Sequence, residues 1–147
     1  MPFKNLLVPL DLSETSVRAL RLAVGTARTS GASLTLLHVG VIPVAPMTEA
    51  WTPGVSAPLV ELNDQMAEEA RKALERIRQE EVPSDIDARL VVREGFVPEE
   101  IVAEAKNGGH DLVVMGTHGH TGLERVLLGS VAERVIRSCP IPVLVTR

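Results

Sequence analysis

The strongest constraint on the fold of this chain is a regular alternation between short apolar runs and segments with helical periodicity. Asn5 to Leu10 is short and almost entirely apolar, as expected of a strand buried on both faces. From Ser13 onwards apolar residues recur at helical spacing, with Ser13 available as an N-cap and Gly31 as a helix stop. The pattern therefore predicts a strand followed directly by a helix.

The same alternation continues along the rest of the chain. Further strands are predicted at Ser33 to Val39, Asp87 to Arg93, Asp111 to Met115 and Pro142 to Thr146. Further helices are predicted from Pro58 to Pro83, from Pro98 to Gly108 and from Ser130 to Ser138. The proline-rich segment 40–57 is predicted to be a loop. The helix that begins at Pro58 is expected to bury one apolar face, consisting of Leu59, Leu62, Met66, Ala70, Leu74 and Ile77.

Five strands joined by four helices predict an α/β fold with a parallel sheet covered on both faces. A connection that contains a helix returns the chain to the same end of the sheet, so consecutive strands run parallel. Right-handed crossovers place helices on both faces, which gives a three-layer sandwich. We expect a single domain over residues 1–147. Ligands are expected outside the carboxyl ends of the strands, where the winding direction reverses.

Composition and charge argue against several classes of protein. The chain has 15 basic and 19 acidic residues and a net charge of −4, so binding to nucleic acid is not expected. Cys139 is the single cysteine, which argues against a disulfide-stabilised secreted scaffold. No apolar stretch reaches the roughly 18 residues of a membrane helix, and the start does not resemble a signal peptide. We therefore expect a cytoplasmic protein with no membrane partner.

Glycines between the fourth strand and the last helix are placed as a phosphate-binding site requires. Gly116 ends a strand at the ligand edge, where a missing side chain lets a ligand approach the main chain. Gly119 can adopt a positive φ and turn successive N–H groups inward as an anion nest. Gly129 and Ser130 stand at a helix N-terminus, which favours negative charge. Glycines that serve the turn alone remain the alternative, and Ser130 could either bind a phosphate or cap its own helix.

The spacing of these residues resembles the ATP-binding signature of the universal stress protein family. Two residues separate Gly116 from Gly119, nine residues separate Gly119 from Gly129, and Ser130 follows at once. The resemblance also extends over the whole chain. It includes the ends of the first two strands and the closing segment, which read Val8-Pro9-Leu10-Asp11, Leu37-His38-Val39 and Cys139-Pro140-Ile141-Pro142-Val143-Leu144-Val145.

The resemblance implies a fold, a ligand and a partner. The implied fold is the Rossmann-like sandwich of the adenine nucleotide alpha hydrolase type, with strand order 3-2-1-4-5. The implied ligand is ATP with Mg²⁺ or Mn²⁺, with Asp11 and Val39 facing the adenosine and Gly129 and Ser130 holding phosphates. The full set of implied nucleotide-binding residues is Pro9, Leu10, Asp11, Val39, Met115, Gly116, His118, Gly119, His120, Gly129, Ser130 and Val131. A homodimer through the last strand is also implied, with an interface of Ile141, Val143, Leu144 and Val145.

Several alternatives stay open for single residues. Asp11 could contact the nucleotide or cap the first helix, and Arg125 could neutralise a phosphate or lie in solvent. His118 and His120 lack a third ligand at suitable spacing, so direct metal ligation by the protein is not expected. His38, at the end of the second strand, is expected to be a satisfied core histidine rather than a catalytic one.

The resemblance implies a nucleotide-binding module in stress response or signalling, and the residues near the predicted phosphates predict little or no hydrolysis. Asp11 and Glu124 are the only carboxylates near the predicted phosphates, and nothing assigns either of them to the activation of water. The P-loop and G-x-G-x-x-G signatures are both absent. Two alternatives remain: a slow ATPase or nucleotide-transferring enzyme, and a structural dimer that binds no nucleotide.

Overall fold

The computed structural model describes residues 2–41, 56–117 and 128–147, and its elements follow the predicted alternation. The strands are β1 (Asn5–Pro9), β2 (Ser33–Gly40), β3 (Ala88–Glu94), β4 (Leu112–Gly116) and β5 (Val143–Thr146). The helices are α1 (Glu14–Ser30), α2 (Ser56–Glu81), α3 (Val97–Asn107) and α4 (Ser130–Ser138). Each element begins and ends within two residues of its prediction. None of the helices in the described ranges has the length and apolar character needed to cross a membrane.

All five strands are parallel and lie in the order β3-β2-β1-β4-β5, which confirms the expected fold class and strand order. The chain winds outward from β1 through β2 to β3. It then returns to add β4 and β5 on the other side of β1. The winding direction therefore reverses between β1 and β4, which is the position where sheets of this kind bind ligands.

Two apolar layers hold the helices against the two faces of the sheet. Side chains alternate along a strand, so Leu6 and Leu7 belong to different layers. The first layer lies against α1 and α2 and includes Leu6, Val8, Leu20, Leu34, Leu36, Leu74 and Val114. The second lies against α3 and α4 and includes Leu7, Leu37, Ile101, Val113, Met115 and Val135. Both faces of the parallel sheet are therefore covered, as predicted.

Helix α1 is capped at both ends by the residues that the sequence indicates. Ser13 has extended backbone angles, φ −80° and ψ 159°, and its side chain accepts a hydrogen bond from the Ser16 N–H at 3.3 Å. Gly31 ends the helix at φ 65°, and its N–H donates to the Ala27 carbonyl at 2.8 Å. Glycine is favoured there because it has no Cβ to oppose a positive φ. The first turn of α1 is thus fixed directly after β1, at the carboxyl edge of the sheet.

The amino-terminal half of α2 does not bury the apolar face expected of it. Leu74 is fully buried, but 45% of Leu62 and 49% of Met66 are exposed. A helix of 26 residues is about 39 Å long, whereas the eight residues of β2 span only about 26 Å. Asn63 donates to the carboxylate of Glu94, the last residue of β3, so the helix continues past the edge of the sheet. The prediction is wrong for Leu62 and Met66, because apolar periodicity carries no information about where the sheet ends or which face of the helix it covers.

A buried ionic cluster joins α3 to the sheet. The Glu104 side chain, 5% exposed, contacts the Arg93 guanidinium, Nη2 of Arg89 at 3.3 Å and Nε2 of His110 at 3.2 Å. Burial raises the pKa of Glu104, but hydrogen bonds from His110 and Arg93 outweigh it and hold that pKa below its ordinary value. An ionised carboxylate only accepts hydrogen bonds, so Nε2 of His110 is the donor. Gly108 leaves room for this pair, since a Cβ there would clash with the His110 ring.

Candidate functional site

The carboxyl ends of β1 and β4 separate where the winding direction reverses. β1 pairs with β2 from Asn5 to Pro9, but it pairs with β4 only at Leu6 and Leu7. Bonding directions alternate along a parallel strand, and the Asn5 carbonyl accepts from the Asp111 N–H on the β4 side. The main-chain groups of Pro9 therefore also face β4, and because proline has no N–H, it cannot donate the next hydrogen bond between the two strands. The pairing between β1 and β4 therefore stops at Leu7, before either strand ends.

The turn from β1 into α1 is built around Asp11. Its carboxylate accepts hydrogen bonds from the Ser13 N–H at 3.0 Å and from the Ser13 hydroxyl. Asp11 therefore does not cap α1 itself, as the sequence alternative had it; it bonds to Ser13, the residue that does. Leu12 lies between them at φ 69°, a left-handed conformation that costs a residue with a Cβ roughly 1–2 kcal/mol. Backbone strain of this kind concentrates at functional sites. The sequence did not indicate a left-handed conformation at Leu12, because leucine is not a residue that favours one.

His38 connects the ends of β1 and β2. Its Nδ1 donates to the Leu10 carbonyl at 2.8 Å, because a carbonyl can only accept. The Leu10 N–H in turn donates to the Leu37 carbonyl at 2.8 Å. The histidine is hydrogen-bonded as expected, although it is half-buried rather than part of the core. It holds the main chain in place immediately before Asp11.

The end of β4 is pressed against the first turn of α1. A Cβ on Gly116 would lie 2.8 Å from Cγ2 of Thr15 and 3.2 Å from its carbonyl oxygen. The close approach of α1 therefore requires a glycine here, which is a different reason from the open ligand access inferred from the sequence. The side chains of Leu10, Val39 and Met115 are all buried in the two apolar layers. A ligand at these positions would therefore meet the main chain, although Leu10 already bonds through its N–H to Leu37 and through its carbonyl to His38.

Thr117 links the N-terminus of α4 to β5. Its N–H donates to the Thr146 carbonyl at 2.9 Å, and its carbonyl accepts from the Gly129 N–H at 2.7 Å. Gly129 is the N-cap of α4, with φ −73° and ψ 159°. Ser130 is then the first helical residue, so its hydroxyl does not occupy the cap position. The N–H groups of Ser130 and Val131 have no partner within the helix, and they lie at its positive end.

The described residues bring together most of the predicted nucleotide site. Asp11, Gly116 and Gly129 lie at the same edge of the sheet. Asp11 follows the end of β1, Gly116 is the last residue of β4, and Gly129 bonds to Thr117, the residue after it. Predicted residues outside the described ranges are His118, Gly119, His120, Glu124 and Arg125, together with residues 42–55 of the predicted loop. Within the described ranges, no group of three or more His, Cys, Asp or Glu side chains is placed to hold a metal ion.

β5 lies at an edge of the sheet, as expected of a strand available to a partner. Ile141, Val143 and Val145 are half-buried and pack against the second apolar layer. Leu144 alternates to the other face and is 38% exposed. Of the four residues in the predicted interface, Leu144 therefore presents the most accessible apolar side chain.

Comparisons with known proteins agree with this architecture. A model described as the universal stress protein family matches residues 2–147. Universal stress protein MJ0531 of Methanocaldococcus jannaschii is 35% identical over 145 residues, which cover 99% of this chain and 82% of that protein. Universal stress protein UspA from Lactobacillus plantarum has a TM-score of 0.86 at 30% identity, covering 100% of this chain and 99% of the other. The universal stress protein from Archaeoglobus fulgidus in complex with dAMP has a TM-score of 0.58 at 24% identity, with 100% of each chain covered. The chain belongs to the universal stress protein family.

Proposed function

We propose that this protein binds ATP at the carboxyl edge of the sheet, between the ends of β1 and β4 and the N-terminus of α4. One observation carries the proposal: two features that favour a nucleotide meet at this point. The strand ends separate where the winding reverses, and a helix begins beside them with N–H groups that lack intrahelical partners. A family member of the same fold was solved with dAMP, which supports an adenine nucleotide as the ligand class.

The nucleoside is proposed to contact mainly backbone groups at the strand ends. The side chains there are buried, and Pro9 retains its carbonyl as an acceptor. Asp11 is the exception, because a carboxylate can accept from ribose hydroxyls or from the adenine amino group. Its bonds to Ser13 hold it at the edge. The proposed contacts are Pro9, Leu10, Asp11, Val39, Met115, Gly116, Gly129, Ser130 and Val131, together with His118, Gly119 and His120 from outside the described ranges.

The phosphates are proposed to bind at the N-terminus of α4. The net charge of −4 provides no general attraction for a triphosphate, so local geometry must supply it. The first N–H groups of α4 and its dipole do so, and the Ser130 hydroxyl is not used as a cap. A bound Mg²⁺ or Mn²⁺ would take its ligands largely from phosphate and water, as such ions commonly do with nucleotides.

We further propose that two copies of this single-domain protein pair through β5. The alternative edge, β3, carries the charged residues Arg89, Arg93 and Glu94, which discourage pairing. β5 contains no charged residue and exposes Leu144. The proposed role is a cytoplasmic nucleotide-binding module in stress response, with little or no hydrolysis. No described side chain near the proposed phosphates is placed to activate water, although Asp11 lies at the nucleoside end.

The first experiment identifies the ligand of the purified protein. Denaturation followed by chromatography of the released small molecules is expected to yield an adenine nucleotide, and titration with ATP and Mg²⁺ is expected to saturate the stripped protein. Neither released nucleotide nor a thermal shift with ATP and Mg²⁺ would favour the structural dimer instead. Multiple-turnover phosphate release, abolished by Ser130→Ala, would favour the slow ATPase.

A variant pair tests the proposed phosphate position. Gly129→Val is expected to abolish binding, because a branched side chain would fill the proposed phosphate space. Gly119→Val, at the other glycine of the signature, is expected to have the same effect. Valine can adopt the backbone angles of Gly129, so the fold should persist. Gly25→Val is the matched control, since Gly25 lies on α1 and a Cβ added there would meet nothing within 4 Å. Equal ATP affinity in Gly129→Val and Gly25→Val would refute the assignment.

A further inference from the structure

We propose that nucleotide binding and pairing through β5 stabilise one another, and that the rigid unit formed by α4 and β5 transmits the effect. The inference rests on the proposed function, because it concerns the regulation of the same site. Its basis is the position of Thr117, whose two peptide groups bond to the N-cap of α4 and to the last residue of β5. One buried residue thus lies between the proposed phosphate position and the proposed interface.

α4 and β5 are connected at both ends. At the amino end of α4, Gly129 bonds to Thr117, which bonds to Thr146. At its carboxyl end, the Cys139 N–H donates to the helix at 2.8 Å, and the chain reaches β5 after only three more residues, two of them prolines. Proline fixes φ, so this connection has little freedom. Both ends of α4 are therefore tied to β5 by short connections.

The middle of this unit is held against the rest of the sheet. Gly116 pairs with Thr146 across β4 and β5, and α1 packs so closely on Gly116 that no Cβ would fit. Thr117 follows directly and is 6% exposed. Because Thr117 bonds to both Thr146 and Gly129, a displacement of β5 is passed to the start of α4 through one residue.

Each binding event is expected to restrict the same unit. A partner strand paired with the outer edge of β5 would fix β5, and phosphates on the first N–H groups of α4 would fix its N-terminus. Whichever event comes first bears the entropic cost of ordering α4 and β5. The second event then has a more favourable binding free energy. Thermodynamic reciprocity then requires that dimerisation raises the ATP affinity of each site by the same factor as each bound ATP raises dimer affinity. We expect this factor to be about fivefold or more, the lower range of measured couplings.

The test measures both equilibria on the full chain. ATP affinity with Mg²⁺ is determined at protein concentrations below and above the dimer dissociation constant, and dimerisation is followed by sedimentation with and without ATP. Leu144→Lys should prevent pairing, because a charge on an edge strand opposes it, and should lower ATP affinity about fivefold. Leu22→Lys is the matched control, since Leu22 is exposed to a similar degree, 41%, but lies on α1. It should change neither equilibrium.

Hydrogen exchange gives a second readout that does not depend on a variant. Exchange at the Thr117 and Gly129 amides should slow on addition of ATP to the monomer, and also on dimerisation without ATP. ATP affinity that is independent of protein concentration would overturn the inference and leave the proposed function intact. An absence of ATP binding at every concentration would overturn both the inference and the proposed nucleotide site. A chain that stays monomeric would overturn the inference and the proposed pairing through β5, and would leave the proposed ATP binding intact.

Discussion

The buried Glu104 cluster provides the most quantitative test of what holds this fold together. Glu104→Gln keeps the size of the side chain but removes its charge, so His110, whose side chain is 2% exposed, loses its carboxylate partner. Arg89 and Arg93 are 57% and 41% exposed, so they can turn into water, and their share of the cost is small. A hydrogen bond to a charged group contributes about 1.5–3 kcal/mol, so we expect the free energy of unfolding to fall by about 2–3 kcal/mol.

Urea and thermal unfolding at pH 7 measure this loss. For a chain of this length we expect the Tm to fall by roughly 4–12 °C, since each kcal/mol corresponds to ~2–4 °C. Glu69→Gln is the matched control, because Glu69 is 74% exposed and contacts Lys72 at 3.4 Å across one turn of α2. Exposed pairs of this kind contribute less than about 1 kcal/mol. Equal losses in the two variants would refute the argument from burial.

The pH dependence of stability, compared between the natural protein and Glu104→Gln, provides a further check. The pKa of Glu104 lies below its ordinary value of 4.5 in the folded state, so the unfolded chain binds its proton first as the pH falls. The charge therefore stabilises the fold above pH 4.5, and this contribution is lost as the pH falls through the folded pKa. The difference in stability between the natural protein and Glu104→Gln should narrow in acid. A difference that stays constant down to the acid transition would contradict the assignment.

Three other substitutions test single local contacts. Gly116→Ala should cost about 1–3 kcal/mol by urea unfolding, because the new methyl group overlaps Thr15; an unchanged midpoint would mean that α1 can move. Ser13→Ala should cost about 1 kcal/mol and weaken ATP binding, since it removes both the cap and a donor to Asp11, whereas Ser13→Thr should retain both properties. Gly31→Ala should destabilise by about 1 kcal/mol because of its positive φ, while Gly25→Ala, in the interior of α1, should stabilise by about 0.5–1 kcal/mol; the same sign for both would be inconsistent with the backbone argument.

Much of the fold could be predicted because its signals are local. The switch between short continuous apolar runs and apolar residues at helical spacing marks where strands and helices alternate, and capping residues mark the ends of helices. Ser13 and Gly31 cap α1 as predicted, and α4 coincides with its predicted range. Parallel order follows from helical connections, since no other arrangement returns the chain to the same end of the sheet. The candidate site at the β1 and β4 ends follows from the same topology.

Other properties depend on contacts between residues far apart in the chain, and no local pattern reports them. Gly116 must be a glycine because Thr15 approaches it, and the exposure of Leu62 depends on where the sheet ends. Thr117 joins α4 to β5 only because the fold brings Thr146 beside it. By itself, then, the sequence determined which elements form and in what order they connect. Tertiary structure decided which residues of those elements are in contact. The distances between them are fixed only when the helices pack against the sheet.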